Sequence, residues 1–240
     1  MPFLLGLTGN IGCGKSTVGQ LLAERFGAEY VDADRLVHAL YASGTPETRA
    51  IVARFGGDLR QADGTIDRRR LGDIVMSDEV ALRDLERILD PGVSHAIEAR
   101  LASTSARVVV LDAIRLIEAG LAARCDAVWV VVCERETQLR RLQAARGFSA
   151  DQAALRVAAQ RPADEKVRHA TAVIVNDGSL DDLASQVDQA WRTTVVPLLD
   201  SGISKGRHPD SGISKGRQPD AGISEGCHPD AGISKGRKPL

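Results

Sequence analysis

FLLGLTGNIGCGKST, residues 3–17, runs from an apolar stretch straight into a glycine-rich turn. Phe3–Thr8 has the length and composition of a buried strand. Gly9-x-x-x-x-Gly14-Lys15-Ser16 then matches the P-loop pattern. From Ser16 to Phe26, apolar Val18, Leu21, Leu22 and Phe26 recur at helical spacing, and Gly27 stops the helix. Strand, turn and helix in that order make a phosphate cradle. The glycines let backbone N–H groups turn inward without a Cβ in the way, and the helix start adds its positive dipole end. Lys15 is placed to reach the β- and γ-phosphates, Ser16 to ligate Mg²⁺ and Thr17 to contact the α-phosphate. The candidate ATP-binding residues are therefore Gly9, Asn10, Ile11, Gly12, Cys13, Gly14, Lys15, Ser16 and Thr17.

Working outward, four more short apolar runs predict strands: Ala28–Asp32, Val108–Leu111, Ala127–Val132 and Ala172–Val175. Strands apolar along their whole length, separated by helical segments, predict an α/β fold with a parallel five-stranded sheet covered by helices on both faces. Residues 35–105 are helical in pattern, at Thr48–Phe55, Arg70–Met76 and Val80–Leu89, and read as an inserted substrate lobe. A second helical stretch at about 137–169 is rich in arginine (Arg140, Arg141, Arg146, Arg156, Arg161) and reads as a lid. An arginine brought over the phosphates neutralises charge that develops during transfer, and Arg141 and Arg146 are the candidates. Leu180–Leu199 is an amphipathic closing helix with Leu183, Val187, Ala190 and Trp191 on one side.

The domain is expected to end near residue 200. Residues 201–240 are four ten-residue units, from SGISKGRHPD to AGISKGRKPL, each with a single Ile as its large apolar residue apart from the final Leu240. Such units bury too little surface to offset the entropy of ordering them, so a disordered tail is expected. The whole chain has a formal net charge of −1, which gives no field to draw nucleic acid or a membrane surface. Its four cysteines show no disulfide or metal spacing, and the chain opens on a strand rather than a signal core. A cytoplasmic protein, with a monomer favoured, is the expectation.

The P-loop alone leaves the reaction open. A GTPase would carry a base-reading Asn-Lys-x-Asp segment, which is absent here. Val31-Asp32-Ala33-Asp34 closes the second strand instead, with two carboxylates expected beside the P-loop. One can accept the proton of an acceptor hydroxyl and the other can hold Mg²⁺, a pairing that points to a kinase. The plainer alternative is a strand-end cap plus the N-cap of a helix over 34–42. Asp112 ends the third run, where a second Mg²⁺-side carboxylate is expected, and Arg115 and Glu118 follow on the same rim, within reach of substrate or of each other. Shikimate kinase and related small-metabolite kinases share this front end, but their substrate insertion is shorter.

Taken together, GLTGNIGCGKST (6–17), VDAD (31–34), FGGDL…DGTIDRRRLGDIV (55–75), LERILDP (85–91), RRL…AAQRPADEK (140–166) and AVIVNDG (172–178) resemble the dephospho-coenzyme A kinase family across residues 1–197. The resemblance implies transfer of the γ-phosphoryl of ATP to the ribose 3′-hydroxyl of dephospho-coenzyme A. It implies Asp34 as the base, Asp32 assisting, Arg141 in the lid, and Asn176 and Gly178 in the loop near the adenine of ATP. Three features depart from the family pattern, one being that the lid arginine appears as Arg146, about one position later than the resemblance implies. Asp90 stands where a His usually precedes Pro91, and the third strand exits through DAIRLIEAG rather than a Pro-Leu-Leu-Phe-Glu type segment.

Overall fold

The computed structural model describes residues 1–201; the decapeptide repeats expected to be disordered lie outside them. Five strands, β1 (Phe3–Thr8), β2 (Glu29–Asp32), β3 (Val108–Asp112), β4 (Ala127–Val132) and β5 (Ala172–Val175), pair in parallel in the order β2-β3-β1-β4-β5. All five fall where the apolar runs predict them. Alternate residues feed two separate cores, as the two-residue period of a strand demands. Phe3, Leu5 and Leu7 join α1 (Lys15–Phe26) and the closing helix, whereas Leu4 joins the helices between β2 and β3. A sheet buried on both faces explains why no polar residue interrupts β1 or β4.

Between β2 and β3 lie α2 (Ala33–Leu40), α3 (Pro46–Phe55), α4 (Arg68–Ser77) and α5 (Glu79–Ser103). Local chemistry sets their starts. Asp32, Thr45, Asp67 and Asp78 each accept a backbone N–H at a helix N-terminus. The expected helix Val80–Leu89 runs on to Ser103, straight through Pro91. Proline removes one backbone hydrogen bond, but the buried stripe Ala81, Leu85, Leu89, Val93, Ile97 and Leu101 continues unbroken past it. Packing along that stripe outweighs the lost bond.

After β4 come α6 (Arg135–Arg146), α7 (Ala150–Ala158) and α8 (Ala163–Val167). The closing segment is α9 (Leu180–Ala190), a wide π turn over Trp191–Val195, and α10 (Val196–Asp200). The wide turn lies just before Pro197, which has no N–H to continue a regular helix. Trp191 stacks on Phe26 of α1 at 4.2 Å between ring centroids, and Trp129 Nε1 donates to Thr194 Oγ1 at 3.0 Å. At the sheet edge, Val175 N donates to Gln186 Oε1 (2.9 Å) and Gln186 Nε2 donates back to Val175 O (2.8 Å).

Gly19 is where α1 meets β2, and a Cβ there would overlap the Tyr30 ring. Alanine is the better helix former by about 1 kcal/mol, but overpacking a buried contact costs about 1–3 kcal/mol. Gly19→Ala is therefore expected to lower the urea midpoint of unfolding, and an unchanged or higher midpoint would show that α1 has room to shift.

Candidate active site

Three strand ends set the floor of the site. The register pairs Leu7 with Asp112 and Asp112 with Asp32, so Asp112 stands between the exit of β1 and the exit of β2. β3 lies between β2 and β1, so VDAD at the end of β2 stands one strand away from the exit of β1, with Asp32 and Ser16 lining one groove. Asp112 is 8% exposed. Its Oδ2 accepts from Tyr30 Oη at 2.6 Å, while its Oδ1 has no partner among the described residues.

The P-loop turns from β1 into α1 through Gly14, whose φ of 87° is left-handed. A Cβ at Gly14 would overlap the Asn176 amide. Asn176 Nδ2 donates to Cys13 O at 2.8 Å, and Arg141 Nη2 donates to Asn176 Oδ1 at 3.3 Å. The Gly14 carbonyl accepts from the N–H groups of Thr17 and Val18, whereas those of Gly14, Lys15 and Ser16 find no acceptor among the described residues. That is the donor set an anion at a helix start requires. Arg141 Nη1 is likewise buried without a partner.

Electrostatics converge on Lys15. Burial pushes its ammonium below the usual range, opposed by the charges of Asp112, Cys13 and Asp34. Burial lifts Asp112 above the usual carboxylate range, opposed first by Lys15 and then by the Tyr30 hydrogen bond. Beneath the loop, Cys133 Sγ donates to Gly12 O at 3.9 Å and Gln138 Nε2 donates to Cys13 Sγ at 3.1 Å; the neighbouring Cys133 thiol does most to hold Cys13 down at about 6, opposed by burial.

The two carboxylates of VDAD take different faces of α2. Asp34 lies with Val37, His38 and Tyr41 along a basin that Arg68 and Arg69 complete. Asp32 lies with Arg35, Leu36 and Ser16 along a groove on the other side. Asp32 Oδ1 caps α2 by accepting from Asp34 N at 2.9 Å, and its Oδ2 stands 3.7 Å from Arg35. The Asp34 carboxylate is exposed and makes no hydrogen bond or ion pair among the described residues.

The connection from α7 to α8 closes the front of the loop. Ile11 N donates to Gln160 Oε1 at 2.7 Å, and Asn10 Nδ2 donates to Arg161 O at 3.0 Å. Buried Lys166 in α8 donates to Ile114 O (2.7 Å) and Glu118 Oε1 (2.6 Å). A model of the family described as dephospho-CoA kinase matches residues 3–182. The chain belongs to that family. It is 45% identical over 195 residues to the dephospho-CoA kinase of Geobacter metallireducens, covering 80% of this chain and 96% of that protein. The Geobacter sulfurreducens dephospho-CoA kinase is 43% identical over 191 residues, covering 78% and 96%. Among solved structures, one from Thermus thermophilus superposes with a TM-score of 0.67 at 32% identity, covering 81% of this chain and 98% of that one. The dephospho-CoA kinase from Campylobacter jejuni gives 0.57 at 25%, covering 84% and 99%.

Most of the residues singled out in the sequence meet around this family's P-loop: Gly9 to Thr17, Asp32, Asp34, Asp112, Arg141 and Asn176. Asn176 is committed to bracing the loop from below. Gly178 is exposed beyond it, and Arg146 closes α6. Arg115 and Glu118 do not contact each other: Arg115 pairs with Glu86 at 2.8 Å and Glu118 with Lys166. The residues that sequence reasoning missed are braces: Tyr30 on Asp112, Gln138 on Cys13, Cys133 on Gly12, and Gln160 on Ile11. Only Tyr30 carried a usable signal, being a polar-tipped residue two positions before Asp32 in a buried strand.

Because Asn176 links the Cys13 carbonyl to Arg141, Asn176→Ala should loosen both. ATP affinity is expected to fall roughly tenfold, the scale of a lost hydrogen bond to a charged group. Titration with a fluorescent ATP analogue checks it, and unchanged affinity would show that the loop holds its shape without this brace.

Proposed function

We infer that the protein transfers the γ-phosphoryl group of ATP to the ribose 3′-hydroxyl of dephospho-coenzyme A, yielding coenzyme A and ADP. Family membership supports the reaction. The observation that carries the assignment of roles is the separation of the two α2 carboxylates: Asp34, unpartnered, borders an open basin, and Asp32 is spent on the helix cap. Asp34 is the base that takes the 3′-hydroxyl proton as the new O–P bond forms and the bond to the β-phosphate oxygen breaks. Lys15, the free N–H groups of Gly14 to Ser16, and Arg141 stabilise charge on the moving phosphoryl group.

The residues present fit Mg²⁺, a hard cation that takes oxygen ligands and needs few of them from protein. Ser16 Oγ and the unpartnered Asp112 Oδ1 would hold it, with Asp32 beside them. When bound, Mg²⁺ neutralises charge on the β- and γ-phosphate oxygens. The helices α2 to α5 serve as the acceptor lobe, and α6 to α8 as the lid that carries Arg141 and Arg146.

A coupled ADP-release assay with dephospho-coenzyme A, shikimate, uridine and adenosine tests the reaction, with rapid turnover expected for the first alone. Lys15→Ala should lower kcat at least ~10²-fold. Asp34→Asn keeps the shape and removes the proton acceptor, so kcat should fall by about 10²–10⁴ while the KM for ATP changes little. If Asp32→Asn is the inactive variant and Asp34→Asn turns over normally, the two roles are reversed.

A further inference from the structure

The basin beside Asp34 has a volume of about 470 Å³ and is lined by Val37, His38, Tyr41, Arg68 and Arg69. That size suits a small-molecule subsite. Its charge is the unusual part. The arginines of the neighbouring helices are mostly neutralised: Arg54 and Arg87 by Asp84, Arg70 by Asp58, Arg83 by Glu79, Arg100 by Glu29. Even in the groove on the other face of α2, Arg35 and Arg100 stand next to Asp32 and Glu29. Arg68 and Arg69 have no carboxylate partner among the described residues. The contact Arg68 makes is to a histidine, its Nη1 lying 3.3 Å from His38 Nδ1. Two uncompensated guanidiniums and an imidazole therefore share one open cavity with the proposed base.

The acceptor's own chemistry matches this. A dephospho-coenzyme A molecule whose 3′-hydroxyl lies at Asp34 carries its diphosphate on the 5′-carbon of the same ribose, a few bonds away. Guanidinium groups recognise phosphate oxygens in paired hydrogen bonds, more strongly than neutral donors do. We propose that Arg68 and Arg69, with His38 beside them, form the subsite for the acceptor's 5′-diphosphate, and that this contact distinguishes dephospho-coenzyme A from simple nucleosides. The basin lies on the Asp34 face of α2 and the cap Asp32 on the other, so the diphosphate anchors the ribose with its hydroxyl toward Asp34.

This assignment rests on dephospho-coenzyme A being the acceptor, and wild-type turnover of that compound tests the premise separately. Given turnover, Arg68→Ala and Arg69→Ala are compared with wild type by kinetics, and by calorimetric titration of dephospho-coenzyme A and of adenosine. Each variant is expected to raise the KM and the Kd for dephospho-coenzyme A about 10- to 100-fold, the range for a lost charge-assisted hydrogen bond. The KM for ATP and the affinity for adenosine should stay within about twofold. Arg68→Lys should recover part of the loss, and raised salt should weaken wild-type binding more than that of the alanine variants. Equal losses for dephospho-coenzyme A and adenosine would overturn the proposal by pointing to general damage to the lobe. Unchanged dephospho-coenzyme A affinity in both alanine variants would overturn it outright. Arg49→Ala, on α3 with its guanidinium on the Gly44 carbonyl, is the control for folding, with melting temperatures compared across all variants.

Discussion

Everything at the catalytic end of the molecule depends on β3 being inserted between β1 and β2. That order sets Asp112 in the same row as Leu7 and Asp32, one strand from the P-loop on one side and one strand from VDAD on the other. Lys15, Asp112 and the first turn of α2 are thereby drawn into one small, partly dehydrated volume. Dehydration disfavours both ionised forms, and their mutual attraction restores part of what is lost. On the function proposed above, phosphates entering such a space would meet dipoles and charges already in place, so little reorganisation would accompany reaction.

A second organising element is α2, eight residues long and acting as a partition. Its helical period sends residues 34, 37 and 38 one way and residues 35 and 36 the other. Two carboxylates only two positions apart thus end up lining different cavities. The salt bridges of the helical lobe fit the same division. Exposed pairs of this kind contribute little to stability, typically well under about 1 kcal/mol each. Their larger effect is on the field, since they offset most of the arginine charge on the neighbouring helices and none of it at Arg68 and Arg69.

What was legible in the sequence was what is local. Strands buried on both faces announce themselves as unbroken apolar runs, and Gly9 to Ser16 announces itself by spacing. The helical segments Thr48–Phe55, Arg70–Met76 and Val80–Leu89 showed in their apolar spacing, whereas the caps Thr45, Asp67 and Asp78 that start these helices slightly earlier went unread. Strand order was not legible, because pairing β3 between its neighbours is a contact across about a hundred residues. The continuation of α5 past Pro91 was hidden for a different reason: the local penalty is visible in sequence, and the buried stripe that overrides it is visible only once the partner helices are in place. The braces under the P-loop share that difficulty. Gln138, Cys133 and Gln160 act on a loop more than a hundred positions away in the chain, and nothing in their immediate surroundings marks them. Arg115 and Glu118 misled for the converse reason, since closeness in sequence suggested a pair and the fold offered each a better-placed partner.

The side chain of Gln186 folds back on β5, presenting one amide acceptor and one amide donor to Val175 in the manner of a neighbouring strand. β5 is an outer strand of the sheet, and Val173 and Val175 are substantially exposed on it. A bare row of backbone groups flanked by valines is the template on which a foreign strand can add, the first step toward intermolecular sheet growth. With Val175 already paired, an incoming strand meets a position whose hydrogen bonds are both taken and whose approach is blocked by α9. One glutamine thus takes the place a foreign strand would need at this edge.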